Sequence, residues 1–123
     1  MSDPSDVFES DSLLSRCLDD ASLAAKVLER FESNAESMID DLRAAMDAAD
    51  ADAVARAAHV IRGVAANVSC DELASSAGAM EDHVRGQGLT MALLEEVEAL
   101  AATVHRARAA VPEVIAAMQR QNG

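Results

Sequence analysis

The chain has 123 residues, enough for one domain, and half of them are apolar, too many for a disordered segment. Ala fills 27 positions, Trp and Tyr are absent and Phe occurs twice, a composition that favours helix over strand. Ten basic against 22 acidic residues, net −12, argue against nucleic acid and against an anionic membrane surface as partners, because both need clustered cations.

Residues 1–10, with Pro4 and several Ser and Asp, read as a flexible lead-in, polar and acidic and therefore no secretion signal. Leu13, Leu14 and Leu18 mark a short helix that ends near Asp19–Asp20, and Asp20 is placed to cap the next one. A second helix is predicted over about 21–48, with Ala24, Val27, Phe31, Ala35, Met38, Leu42 and Ala45 stepping by 3 and 4 along its buried stripe. Asp50 or Asp52 caps a third helix over about 51–68, whose stripe is Val54, Ala58, Ile61, Ala65 and Val68. Ser69 and Glu72 have the spacing of a capping box, so a fourth helix is expected from about Cys70 to Arg85, with Leu73, Ala77, Met80 and Val84 inward and Gly86 and Gly88 ending it.

Thr90 is the expected cap of a fifth helix. It buries Leu94, Val97, Ala101, Val104 and Val111, is kinked or restarted at Pro112, and frays beyond residue 119. Short connections make neighbouring helices antiparallel. The predicted fold is all-α: an antiparallel four-helix bundle over residues 11–119 with a short extra N-terminal helix. No apolar run approaches the ~20 residues of a membrane span.

Most catalytic signatures are missing. There is no phosphate-cradling GxxxxGK[ST] or GxGxxG loop and no GxSxG elbow. His59, His83 and His105 lack HExxH spacing, and a zinc trio of His59, Cys70 and His83 matches no known ligand spacing. No metal site is expected. Cys17 and Cys70 form no CxxC pair, so free thiols in a reducing, cytoplasmic setting are the expectation.

One segment stands apart, Ala58-His59-Val60-Ile61-Arg62-Gly63-Val64-Ala65-Ala66-Asn67-Val68. With Val54 at the centre of the core face, Ile61, Ala65 and Val68 fall within about 40° of it, and His59 falls about 140° away, toward solvent. The helical neighbours of His59 are Ala55 and Arg56 on one side and Arg62 and Gly63 on the other, with Ala66 a turn further on. Small residues leave the imidazole uncovered, and two arginines flank it in an otherwise acidic chain. Gly63 costs about 1 kcal/mol in mid-helix relative to Ala, so access beside the ring is a physical reason for it. An exposed neutral imidazole is a good nucleophile toward phosphorus near pH 7, and a nearby guanidinium stabilises the incoming negative charge.

The segment resembles the H-x-[LI]-K-G-[SA]-[SA]-x-[NS]-[LIV]-G signature of histidine-containing phosphotransfer (HPt) domains. The similarity extends through Leu42–Ala58 and Leu73–Glu81 and covers roughly residues 11–119. Arg62 stands where Lys is usual, Val64 where Ser is frequent, and Ser69-Cys70 in place of a Gly-Ala turn.

The resemblance implies a phosphorelay carrier that takes a phosphoryl group from the aspartate of one receiver domain and passes it to another. His59 matches the phosphoacceptor, Arg62 the basic position that steadies the phosphate, Gly63 the glycine that keeps the ring accessible, and Glu81 a polar residue able to hydrogen-bond the imidazole. The protein itself then needs no ATP site and no cofactor, and the magnesium ion belongs to the partner receiver. The expected partners are receiver domains of response regulators and hybrid kinases, and the expected state is a monomer. A docking surface needs an apolar patch near the nucleophile, for which Leu13, Leu14 and Leu18 are candidates beside Ala55, Arg56 and Ala66; the competing expectation is that the three leucines only cap the core. The alternatives are an adaptor or inhibitor bundle that binds a receiver or kinase without accepting phosphate, and a metal-dependent protein using its acidic faces.

Overall fold

Alanine-rich stretches with apolar residues at 3–4 spacing fold into five helices in the computed structural model, which describes residues 7–122. They are α1 (Ser10–Arg16), α2 (Ala21–Asp47), α3 (Ala51–Asn67), α4 (Asp71–Gln87) and α5 (Ala92–Asn122). Residues 1–6 of the expected lead-in, and Gly123, lie outside the described residues.

α2, α3, α4 and α5 close into a ring in which each packs on the next, and α5 returns to α2. Ion pairs along the seams fix the antiparallel sense: Arg43 with Glu98 and Arg108 with Glu36 between α2 and α5, Arg106 with Glu72 between α4 and α5. The result is the all-α, antiparallel four-helix bundle, with α1 as the extra N-terminal helix.

Asp20 and Asp50 cap α2 and α3, Asp20 accepting from the backbone N–H groups of Ser22 and Leu23 and Asp50 from that of Ala53. The turns after α1, α2 and α3 close on the same backbone hydrogen bond, the first with Asp19 left-handed as well (φ 61°). Leu18, Ala49 and Ser69 take left-handed backbone angles (φ 56°, 53° and 56°), and the next amide reaches back five residues, Asp19 to Leu14 O at 2.7 Å, Asp50 to Ala45 O at 3.2 Å and Cys70 to Ala65 O at 2.9 Å. This geometry removes the expected Ser69–Glu72 capping box. Ser69 is spent closing α3, its hydroxyl bonds Ser12, and Glu72 pairs with Arg106. Cys70 is the residue before α4, and it makes no side-chain cap.

Further differences follow from packing. Val7 to Ser10, counted with the lead-in, are attached to the bundle: Phe8 is buried edge-on against Phe31 at 5.9 Å, and Glu9 N–H donates to Ser69 O at 2.8 Å. Gly86 stays inside α4, and only Gly88, at φ 72°, ends it. Thr90 does not cap α5, because its hydroxyl bonds His83. Leu94 is exposed, since the buried stripe of α5 runs one residue earlier, through Leu93, Val97, Leu100 and Val104. α5 passes Pro112 without restarting and continues to Asn122. Val111, Val114 and Met118 stay buried on one face, and that burial offsets the lost hydrogen bond. Cys17 and Cys70 are free and buried, and burial pushes the Cys70 thiol up.

Candidate functional site

The site lies across the α3–α4 seam, the most extensive helix pairing in the bundle. Burial of Val54, Ala58, Ile61 and Ala65 fixes the rotation of α3, and this turns His59 outward with 66% of its side chain exposed. Its Nδ1 lies 3.0 Å and 3.2 Å from the two carboxylate oxygens of Glu81 on α4.

Glu81 is 8% exposed, and an imidazole and two guanidinium groups converge on it. Oε1 faces His59 and, at 3.5 Å, Arg62 Nη1; Oε2 accepts from Arg85 Nε at 2.9 Å. Burial alone pushes the Glu81 carboxyl up, but the hydrogen bonds from His59 and Arg85, with the charge of the Arg85 guanidinium, outweigh it and hold the carboxyl below the usual range. An ionised carboxylate can only accept. The His59 nitrogen facing it, Nδ1, therefore carries a proton, and in the neutral imidazole the lone pair is then on Nε2.

The neighbours of the ring divide into open and covered. Gly63 is exposed, and a Cβ placed on it would meet nothing within 4 Å, so it serves no close packing among the described residues. Arg56 and Ala66 are exposed, as expected. Ala55 is not: it is buried, because α4 packs over that flank of α3. Leu13 and Leu14 are buried in the core and cannot form a docking patch without unfolding α1. Of that cluster only Leu18 is presented, 88% exposed on its left-handed turn.

Two residues of the site were not read from the sequence. Gly78, in the middle of α4, is the seat of Arg62: a Cβ there would lie 3.4 Å from Arg62 Cδ and 3.6 Å from its Nε. Arg85 lies one turn beyond Glu81 on the same helix face. The signals were a second mid-helix glycine and an i,i+4 Glu–Arg pair.

A second feature lies on the α2 side of His59. Six of the ten basic residues pair with a carboxylate. Arg16, Lys26, Arg30 and Arg56 have no carboxylate within 4.0 Å among the described residues, and all four line two grooves between α2 and α3. The larger groove, ≈ 630 Å³, also carries Leu23, Val27 and Val64, and the smaller carries Val60. Val60 and Leu23 are large apolar residues left exposed. Among the described residues no three His, Cys, Asp or Glu side chains converge as metal ligands, and no helix is long and apolar enough to cross a membrane.

Comparison with curated proteins and with solved structures finds no match. The Hpt domain family model matches residues 26–110, more than half of the chain, and spans α3 and α4 with every residue of the His59–Glu81 cluster. An exposed imidazole with one nitrogen held and the other free, on a helical bundle matched over that stretch, places the chain in the Hpt domain family, whose members serve histidine phosphotransfer in two-component signalling.

Proposed function

We propose that this protein is a phosphorelay carrier, in which His59 accepts a phosphoryl group from a receiver-domain aspartate and yields it to another. The carrying observation is the state of the ring, with Nδ1 held by Glu81 and Nε2 open to solvent. The Nε2 lone pair attacks phosphorus, the P–O bond to the donor aspartate breaks, and its electron pair leaves with the donor carboxylate. Return transfer reverses each step: the acceptor carboxylate attacks, and the P–N pair goes back to Nε2. Arg62, half-exposed one turn away, is within reach to neutralise the phosphoryl oxygens.

The partner's receiver domain seats over the face where α2 meets α3. Exposed Val60, Leu23 and Leu18 supply apolar contact there, and Arg16, Lys26, Arg30 and Arg56, with no carboxylate partner among the described residues, suit an acidic rim around the partner's aspartate. The magnesium ion such transfer uses belongs to the partner. The carrier works as a cytoplasmic monomer.

Incubation with a phosphorylated receiver domain tests the reading. It should leave an acid-labile, base-stable label on the wild type and none on His59→Gln. Equal labelling of the two overturns it, and tight binding without label assigns the protein to the adaptor class instead.

A further inference from the structure

Glu81 is a nearly buried carboxylate serving two clients. It orients His59 through Nδ1, and it also holds Arg62, the cation best placed to meet an incoming phosphoryl group. These tasks conflict. When Arg62 turns to the phosphoryl oxygens, Glu81 loses a counter-charge at the moment it must stay ionised, because phosphorylation of Nε2 leaves positive charge on a ring still protonated at Nδ1. A buried carboxylate short of partners tends to take up a proton, and would then no longer hold Nδ1–H.

The geometry points to Arg85 as the positioning residue that resolves this conflict. Its Nε–H donates to Glu81 Oε2 at 2.9 Å, shorter than the 3.5 Å contact of Arg62, and on the oxygen that Arg62 does not use. Arg85 is anchored one helical turn from Glu81, so its hold is independent of what happens on α3. Arg62 lies against Gly78 with its guanidinium at the longer distance, and is the partner free to leave. Arg85 thus keeps Glu81 ionised through the whole cycle. The carboxylate keeps the proton on Nδ1 and the lone pair on Nε2, and it stabilises the cationic phosphorylated ring from which the phosphoryl group departs. Arg85 acts through Glu81 and does not touch the phosphoryl group. This inference rests on the phosphocarrier reading above.

The test uses the whole chain and two readouts. The ring-nitrogen NMR shifts of His59 report which nitrogen is protonated, without any phosphoryl donor. Phosphoramidate, which donates its phosphoryl group to Nε2 and releases ammonia, reports nucleophilicity without a partner protein. Arg85→Met should move His59 from the Nδ1–H form toward the Nε2–H form and slow phosphorylation by about tenfold or more, the scale of one hydrogen bond to a charged group. Arg85→Lys should restore part of both. In the Glu81→Gln background, Arg85→Met should change neither readout further. An unchanged ring tautomer in Arg85→Met overturns the inference, and so does a rate loss of the same size in the Glu81→Gln background, which would place Arg85 on the phosphoryl group itself. If wild type takes no label from phosphoramidate, the carrier reading fails, while the tautomer still scores the role of Arg85.

Discussion

Two histidines in this bundle face glutamates in nearly the same way, and only one is built to react. His59 on α3 has Nδ1 3.0 Å from Glu81, and His83 on α4 has Nδ1 2.9 Å from Glu96 on α5. They differ at the other nitrogen. Nε2 of His83 pairs with the Thr90 hydroxyl at 3.0 Å, and the side chain is 17% exposed. Nε2 of His59 has no such partner among the described residues, and its ring is 66% exposed. One arrangement ties the α4–α5 turn to α5; the other leaves a lone pair in solvent beside Gly63. A His–Glu contact alone therefore does not identify a nucleophile. What the second nitrogen meets decides between a pin and a carrier.

The largest expected effect breaks that comparison outright. His59→Gln should abolish phosphoryl labelling with little change in stability, whereas His83→Gln should keep the label and lose about 1–2 kcal/mol in urea unfolding, for two hydrogen bonds left unmade. A labelled His59→Gln protein would erase the distinction.

Burial sets the next effect. Leu14→Asp should cost about 3–5 kcal/mol and lower the melting temperature seen by far-UV circular dichroism, because a charge replaces a core leucine. Leu18→Asp, on the exposed turn, should melt near the wild type and weaken receiver binding instead.

Acid sharpens the role of the carboxylate. The folded-state pKa of Glu81 is depressed, so its stabilisation is fully present above the ordinary glutamate value and is lost as pH falls through the lower folded value. The stability difference between wild type and Glu81→Gln should shrink across that acidic window in denaturant melts at stepped pH. A pH-independent difference would show that the ion cluster contributes nothing to folding.

The smallest effect concerns Gly63. Gly63→Gln finds open space and gains helix propensity, so the fold should be stabilised by roughly 0.5 kcal/mol while transfer from a phosphorylated receiver slows through crowding of the ring. Faster transfer would show that this glycine does not serve access.

Much of the site was legible because α3 states its own rotation. Val54, Ala58, Ile61 and Ala65 recur at helical spacing, and whatever lies opposite that stripe, His59 included, must face water. Ala55 was misread for a related reason: a single-helix wheel knows the core direction but not which flank a second helix will cover. Leu93 and Leu94 are adjacent and equally apolar, so only docking against the bundle chose the first. Ser69 satisfied a capping pattern in sequence, yet the need to close α3 with a left-handed residue took it first.

The order of helices, the outward face of α3 and the nucleophilic residue type were all written in the local pattern, since helix periodicity and side-chain chemistry act over a few residues. The pairing of His59 with Glu81 and the resting place of Arg62 on Gly78 came only with the tertiary fold, whereas the hold of Arg85 on Glu81 is a local i,i+4 pair within α4. The first joins residues 22 positions apart, and the second lays a side chain of α3 on the backbone of α4. Their distances depend on how α3 and α4 pack, which no run of neighbouring residues encodes.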